Sequence, residues 1–340
     1  MVPPPTAGTG LKRLLLAALV CLATAPAAAA QDSHLLVVVG LGGDEENAAR
    51  FHGWAAALVD AARTRHGLPA DHVTYLGEDP GRDPSRIAGR STRDGIEAAI
   101  GRIAATARPG DRIFIVLIGH GATATGEPRF NLPGPDLTAQ EFNRLIGRLA
   151  AWQVAVVNTA SASGSFIPAL TGKDRAVVAA TRTDGERNQA RFGEFFVEAY
   201  ATDAGDIDKD GRISILEAFT WARRRVVESY ERDGQLLTEH AVLDDNGDGK
   251  GTDTPGGPDT DGALARTLFM TAAAGAGVAD ESADPEVRAL AEQQKALEGR
   301  IAGLRAAKGT MEAAQYERDL EQLLIELART TRAIKEKQKK

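Results

Sequence analysis

The sequence predicts an α/β protein built on a mostly parallel sheet with helices on both faces. Apolar strands and amphipathic helices alternate from residue 34 to about 200, and turns containing Gly or Pro separate them. Two patterns stand outside that alternation. One is an acidic, glycine-punctuated loop at 206–217; the other is a tail past residue 283, rich in Ala, Leu, Glu, Gln, Lys and Arg, with apolar residues at helical spacing. The expected organisation is a leader over 1–30, an α/β core over 31–200, an acidic-loop region over 201–282 and a helical hairpin over 283–340.

The leader is expected from its three zones. Lys12 and Arg13 form a basic start, 14–22 an apolar stretch, and Ala28-Ala29-Ala30 a small-residue end suited to a signal peptidase. Cleavage before Gln31 implies a secreted or periplasmic chain, and no later run reaches the length needed for a stable membrane span. The alternative, acylation on Cys21, places bulky Val20 where such processing wants a small residue. Cys21 is the only cysteine, so the mature chain is expected to carry no thiol and no disulfide, leaving its core and any bound ions to stabilise it. Loss of the two leader cations takes the net charge from -7 to -9, which argues against nucleic acid as the partner.

Each core element has a local reason. The run 35–39 is continuously apolar and ends in Gly40-Leu41-Gly42-Gly43; 45–65 then places Phe51, Ala55, Leu58 and Val59 at helical spacing. A second strand is expected at 72–76 and a helix at 91–107. Pro109-Gly110 turns the chain into a third strand, 112–118, apolar enough for burial on both faces. Thr138 and Glu141 form a capping box that opens a helix to about residue 150, and strands are expected at 154–157 and 176–180. In such sheets, sites form at the carboxyl edge of the strands.

Two strand ends hold the residues that bear on chemistry. The third strand runs into Gly119-His120-Gly121-Ala122, and the fourth into Asn158-Thr159-Ala160-Ser161-Ala162-Ser163-Gly164-Ser165. Here, over roughly residues 34–200, the chain resembles the legumain and caspase-like cysteine peptidases, on the legumain side. Those proteins place a His-Gly pair after one buried strand and an Ala-Cys-x-Ser-Gly-Ser stretch after the next. The chain keeps His120, Gly121, Ala160, Ser163, Gly164 and Ser165, and His66-Gly67-Leu68-Pro69 is similar to the family's Asn-Gly-Ile-Pro. Ser161 stands where the nucleophilic cysteine is expected.

The resemblance implies a caspase-like sheet, His120 as base, and the N–H groups of Gly121 and Ser161 as oxyanion donors. A hydroxyl is several pK units less acidic than a thiol, so a base that suffices for Cys fails more readily for Ser. The legumains also orient the imidazole with an Asn after the first strand, where this chain has Gly42 and Gly43. The expected reading is a pseudo-enzyme, inactive as a cysteine peptidase, that binds a polypeptide substrate or protein ligand. An active Ser161–His120 peptidase or esterase is the alternative, and a structural envelope protein assembling through 284–340 is a third. Ser161 as a cap of the following helix is the structural counterpart of these readings. Gly-x-Ser-x-Gly is absent, which excludes the nucleophile elbow of the α/β-hydrolases. The mixed-charge stretch 180–188 falls where the resembled family shapes its substrate pocket, and a solvated loop with internal salt bridges fits it equally.

The segment 206–217 matches the EF-hand calcium loop. Asp206, Asp208 and Asp210 stand at the first, third and fifth places, Gly211 at the sixth, and Glu217 at the twelfth. The Arg212 carbonyl and Ser214 fall at the seventh and ninth places, and the expected cofactor is Ca2+. Asp244, Asn246 and Asp248 repeat the first half of that pattern, but Pro255 occupies the twelfth place. The repeat is read either as a flexible turn or as a truncated loop completed by Asp253, Asp259 or Asp261, within a stretch, 249–262, expected to be exposed. In the tail, Leu290, Leu297, Ile301 and Leu304 form one arm of the hairpin, Lys308-Gly309 the break, and Leu320, Leu323, Leu324, Leu327 and Ile334 the second arm. Its stripe pairs internally by default, with the main domain or self-association through 284–340 as the other ways to bury it.

Overall fold

The computed structural model describes residues 32–124, 126–256, 260–272 and 312–338, with scattered helical positions between 286 and 304. The expected leader at 1–30 and the break at Lys308-Gly309 lie outside the described residues.

Strand β1 (Ser33–Val39) is buried along its whole length, as a strand with apolar residues on both faces must be. Asp44 then accepts a hydrogen bond from the Asn47 N–H and starts α1 (Glu45–Thr64), whose buried stripe includes Phe51, Ala55, Leu58 and Val59. Strands β2 (Val73–Gly77) and β3 (Ile87–Arg90) and helix α2 (Arg93–Thr106) follow. Next comes β4 (Arg112–Ile118), which leads into three short strands, β5 (Gly121–Ala124), β6 (Glu127–Phe130) and β7 (Leu137–Thr138). Helix α3 (Ala139–Ile146), β8 (Gln153–Asn158), the single turn α4 (Ile167–Leu170) and β9 (Arg175–Ala179) complete the core. Beyond it lie α5 (Phe192–Ala201), α6 (Ile215–Arg232), β10 (Val242–Asp244) and α7 (Ala313–Gln338).

Seven strands form one sheet in the order β10-β9-β8-β4-β1-β2-β3. All neighbours are parallel except the edge strand β10, which runs antiparallel to β9. The chain begins at β1, moves outward through β2 and β3, and returns to the other side of β1 with β4. That reversal leaves a crevice beyond the carboxyl ends of β1 and β4, the usual place for a ligand in such sheets. Alternate residues of β1 feed the two faces. Leu35, Val37 and Val39 pack with Phe51, Phe192 and Phe219, and Leu36 and Val38 pack with Ile96, Ile100, Phe142 and Leu170. Burying each such leucine is worth about 1.5–3 kcal/mol, so the continuous apolar strands anchor the frame.

The expected strands and helices occur, with shifts of a residue or two at their ends. The capping box of Thr138 and Glu141 forms, but α3 stops at Ile146 and tightens into a 3-10 turn, Gly147–Leu149, instead of running to 150. Gly147 has weak helix propensity, and the tighter turn directs Leu149 into the core. The sequence reading had no counterpart for β3, the β5–β7 sheet or β10, because strands of four residues or fewer carry no legible period. Nor is 249–262 simply an exposed loop: Thr252 exchanges both backbone hydrogen bonds with Leu243, and Asp261 and Gly262 are buried. In the tail, Leu297 and Ile301 form an apolar cluster with Leu323 and Leu327 of α7. Among the described residues, no helix is long and apolar enough to cross a membrane.

Candidate functional site

Strands β4 and β8 are parallel neighbours in which Leu117 pairs with Asn158, so the residues after them emerge side by side at the carboxyl edge. His120 and Ser161 are the side chains this placement brings together. The His120 Nε2 lies 3.2 Å from the Gly42 carbonyl oxygen. A carbonyl only accepts, so Nε2 carries the proton, and Nδ1 is the basic nitrogen of the neutral ring. The Phe51 ring meets the imidazole edge-on at a centroid distance of 5.1 Å. Where the sequence offers only Gly42 and Gly43 in place of an orienting Asn, the main chain takes up the contact. No side chain is needed at Gly42, because the turn after β1 turns its main-chain carbonyl toward the ring. A Cβ on Gly42 would sit 2.6 Å from the Ala48 nitrogen, which keeps that turn glycine.

Ser161 is 5 % exposed. Its Oγ lies 3.5 Å from the Gly121 carbonyl oxygen, at the outer limit of a hydrogen bond, and makes none to the His120 ring. Gly121 is packed against the Ser161 turn so closely that a Cβ there would lie 2.5 Å from the Ser161 carbonyl oxygen. The turn is braced from behind. Ala162, in the left-handed region with φ of 55°, donates its N–H to the Glu186 carbonyl at 3.0 Å, while Thr181 Oγ1 accepts from the Gly164 N–H at 3.1 Å. Ser161 does not cap a helix; Ala162 precedes the 3-10 turn Ser163–Phe166 without a side-chain cap.

Two donors here have no acceptor among the described residues, the Ser161 backbone N–H and the buried Asn158 Nδ2. Asn158 is held from its other end, its Oδ1 accepting from the Ala160 N–H at 3.1 Å. Orphaned buried donors are costly and mark a place where an oxygen would be welcome. Beside the Gly40–Gly43 turn a cleft of about 640 Å³ opens, lined by Leu41, His52, Tyr75, Glu78, Arg82 and Arg90. Within the 180–188 stretch Glu186 accepts from the Arg182 N–H at 3.0 Å, while its ion pairs run outward, Glu186 to His240 Nδ1 at 2.8 Å and Arg182 to Asp253 at 2.6 Å.

Sequence reasoning missed two contributors. The Gly42 carbonyl leaves no trace in a side-chain pattern. Glu239 accepts hydrogen bonds from the Arg191 and Phe192 N–H groups, both at 2.8 Å, and so fixes the start of α5. Burial holds its carboxyl up at about 7.

The acidic loop lies between α5 and α6. One carboxylate oxygen from each of Asp206, Asp208 and Asp210 lies within 4.8 Å of the others, the one such group of three among the described residues. Asp206 Oδ2 accepts from the Gly211 N–H at 3.1 Å, while its Oδ1 is buried without a partner. Desolvation raises the Asp206 pKa first of all, and the nearby Asp210 and Asp208 charges add to it. Ser214 caps α6 and Glu217 completes a capping box with it, Oε2 accepting from the Ser214 N–H at 2.9 Å. Glu217 Oε1 reaches back to the N–H groups of Ile207 and Asp208, at 3.0 and 3.3 Å. Glu217 thus ties the two ends of the loop together and stands outside the three-carboxylate group. The Arg212 side chain pairs with Asp210 at 3.2 Å and lies 4.2 Å over the Phe269 ring. Across a cleft of about 710 Å³ the loop faces Leu320, Leu324 and Arg332 of α7. The second acidic stretch follows β10, where Asn246 Oδ1 accepts from the Asp248 N–H and Asp248 Oδ1 from the Lys250 N–H, both at 2.8 Å. Searched against models of known protein families and against curated proteins, the chain matches none.

Proposed function

We propose that the protein is a secreted or periplasmic, calcium-binding homologue of legumain-type peptidases, with a caspase-like sheet, that binds polypeptide at its strand edge without hydrolysing it. The observation that carries this reading is the Ser161 hydroxyl, which is buried against the Gly121 carbonyl and not bonded to His120. Attack by a serine needs its proton within reach of the base, and a hydroxyl is a much harder group to ionise than the thiolate this architecture is read as serving. The unpaired Ser161 N–H and Asn158 Nδ2 suit the carbonyl oxygen of a bound peptide, and a cleft of ligand-pocket size opens farther along the same sheet edge, beside the Gly40–Gly43 turn and β2.

Calcium belongs to the same reading. The orphaned Asp206 Oδ1 and the crowding of three carboxylates fit a hard cation, and all-oxygen donors favour Ca2+ over transition metals. Asp206, Asp208, Asp210, the Arg212 carbonyl and Glu217 are the ligands proposed, with Ser214 at the ninth place. The ion's part is to hold α5 and α6 at fixed spacing on the sheet and to set the loop that faces α7.

A second reading, a slow serine hydrolase, draws support from His120 being already oriented by the Gly42 carbonyl, with Nδ1 unprotonated and the Ser161 N–H free as an oxyanion donor. One experiment separates the two. The purified chain, with calcium, is screened against a peptide library and short-chain esters beside Ser161→Ala and Ser161→Cys. The pseudo-enzyme reading expects no turnover by the parent and peptide hydrolysis by Ser161→Cys. Parent turnover that vanishes in Ser161→Ala overturns it and establishes the hydrolase.

A further inference from the structure

We propose a second calcium site in the loop after β10, held by Asp244, Asn246 and Asp248 and closed by Asp261 from beyond the loop. It rests on neither the groove nor the first acidic loop.

Asp244 ends β10, opposite Val177 of β9, and is 1 % exposed. Its Oδ1 accepts from the Gly247 N–H at 3.3 Å; its Oδ2 is buried with no hydrogen-bond partner. Asp261 is 3 % exposed, and its Oδ1 accepts from the Asp245 and Asn246 N–H groups at 3.0 and 3.2 Å. Asp245 does not face the ion. Its carboxylate accepts from the Gly262 and Ala265 N–H groups, both at 2.8 Å, and so fastens the segment that carries Asp261. Neither Asp244 nor Asp261 is paired with a Lys or Arg among the described residues. Two buried carboxylates in one place, one with an orphaned oxygen, are a costly arrangement unless a cation joins them.

The loop also repeats four hydrogen bonds of the first one at the same loop positions. In the first, Glu217 accepts from the second and third residues, Ile207 and Asp208; in the second, Asp261 accepts from the second and third residues, Asp245 and Asn246. Asp208 and Asp210 accept from the Asp210 and Arg212 N–H groups, as Asn246 and Asp248 accept from those of Asp248 and Lys250. Each loop opens with a carboxylate that keeps one buried, unpaired oxygen, on Asp206 and on Asp244. The difference is where the closing carboxylate comes from. Glu217 is the twelfth residue of its loop, whereas Asp261 is the eighteenth counted from Asp244 and bypasses Pro255 at the twelfth place. Asp253 is committed to Arg182 and Arg223, at 2.6 and 3.7 Å, and Asp259 lies outside the described residues. Asp244, Asp248 and Asp261 with the Asn246 amide oxygen and the Lys250 carbonyl at the seventh place would supply an all-oxygen donor set suited to calcium, drawn together on binding, since without the ion their carboxylates are not gathered within 4.8 Å as those of Asp206, Asp208 and Asp210 are. The ion would brace the sheet edge beside α4, since a Cβ on nearby Gly251 would lie 2.7 Å from Ile167 Cδ1.

Calorimetric titration of the chelator-treated chain with CaCl2 tests this. The parent is expected to bind two ions and Asp206→Ala one. Asp248→Ala, at an exposed position that leaves the core untouched, is expected to weaken the other binding step about tenfold or more, and Asp261→Asn to do the same. A parent that binds a single ion, lost in Asp206→Ala, overturns the second site and leaves the first standing. Two binding steps that keep their affinities in both Asp248→Ala and Asp261→Asn overturn it as well. A parent that binds no calcium sinks both sites.

Discussion

The strand-edge site and the acidic loops are unsatisfied in opposite senses. Among the described residues, two donors around Ser161 lack an acceptor, the Ser161 N–H and Asn158 Nδ2, whereas two carboxylate oxygens in the loops, Asp206 Oδ1 and Asp244 Oδ2, lack a donor. A buried donor seeks an electron-rich oxygen, and a buried carboxylate oxygen seeks a cation. The same folded chain thus presents two kinds of demand, and the sign of each indicates the class of ligand proposed for it. Glu239 is the internal control, a buried carboxylate whose two oxygens both accept main-chain N–H groups and which needs no ion.

The largest expected effect lies on the donor side. A Cβ on Gly121 would sit 2.5 Å from the Ser161 carbonyl, a backbone atom that cannot swing away. Gly121→Val is expected to cost more than about 2 kcal/mol in urea unfolding. A near-neutral result would mean that the Ser161 turn is loosely held and that the placement of its donors is not fixed.

The control comes next. Burial raises the Glu239 carboxyl from an ordinary 4.5 to about 7, against the lowering effects of the Arg191 and Phe192 N–H groups and the Arg191 charge, with the Glu186 charge opposing ionisation. Glu186 is itself paired with His240. Between those pH values the folded chain holds a proton that the unfolded chain has released. The contribution is therefore full below pH 4.5 and is lost as the pH rises through 7, by an amount on the order of 2–3 kcal/mol. Glu239→Gln is expected to flatten that slope in urea midpoints measured from pH 4 to 8. A slope unchanged by the substitution would show that another group carries it.

The smallest effect is the one that changes sign. Asp208→Asn removes one of three crowded charges, so in chelator it is expected to stabilise the chain by about 0.5 kcal/mol. In saturating calcium the same change is expected to destabilise it, because a ligand is weakened and the parent gains about 2.7 kcal/mol at a hundredfold excess over Kd. Thermal unfolding of both proteins in chelator and in calcium reads the two signs. Destabilisation in both conditions would mean that Asp208 is a structural turn residue rather than a ligand.

How much of this was legible in the sequence depended on chain separation. The first acidic loop could be read residue by residue because its proposed ligands fall within twelve consecutive positions, where local geometry alone brings Asp206, Asp208 and Asp210 together. The five expected strands could be read because continuous apolar runs leave no alternative to burial on both faces. His120 and Ser161 could be placed at neighbouring strand ends for the same reason. Their relation could not, since Ser161 faces a carbonyl that only the β5 turn supplies.

By itself, then, the sequence determined the parallel sheet, its helical cover, the first acidic loop and the presence of a serine rather than a thiol at position 161, all of them consequences of residue type and short spacing. The tertiary structure decided that the Gly42 carbonyl orients His120, that the Ser161 hydroxyl lies against the Gly121 carbonyl without a hydrogen bond to the imidazole, and that Asp261 approaches the Asp244 loop. The physical reason is common to all three. Each depends on a main-chain group, or on residues brought together across the fold, and neither leaves a pattern in the order of side chains.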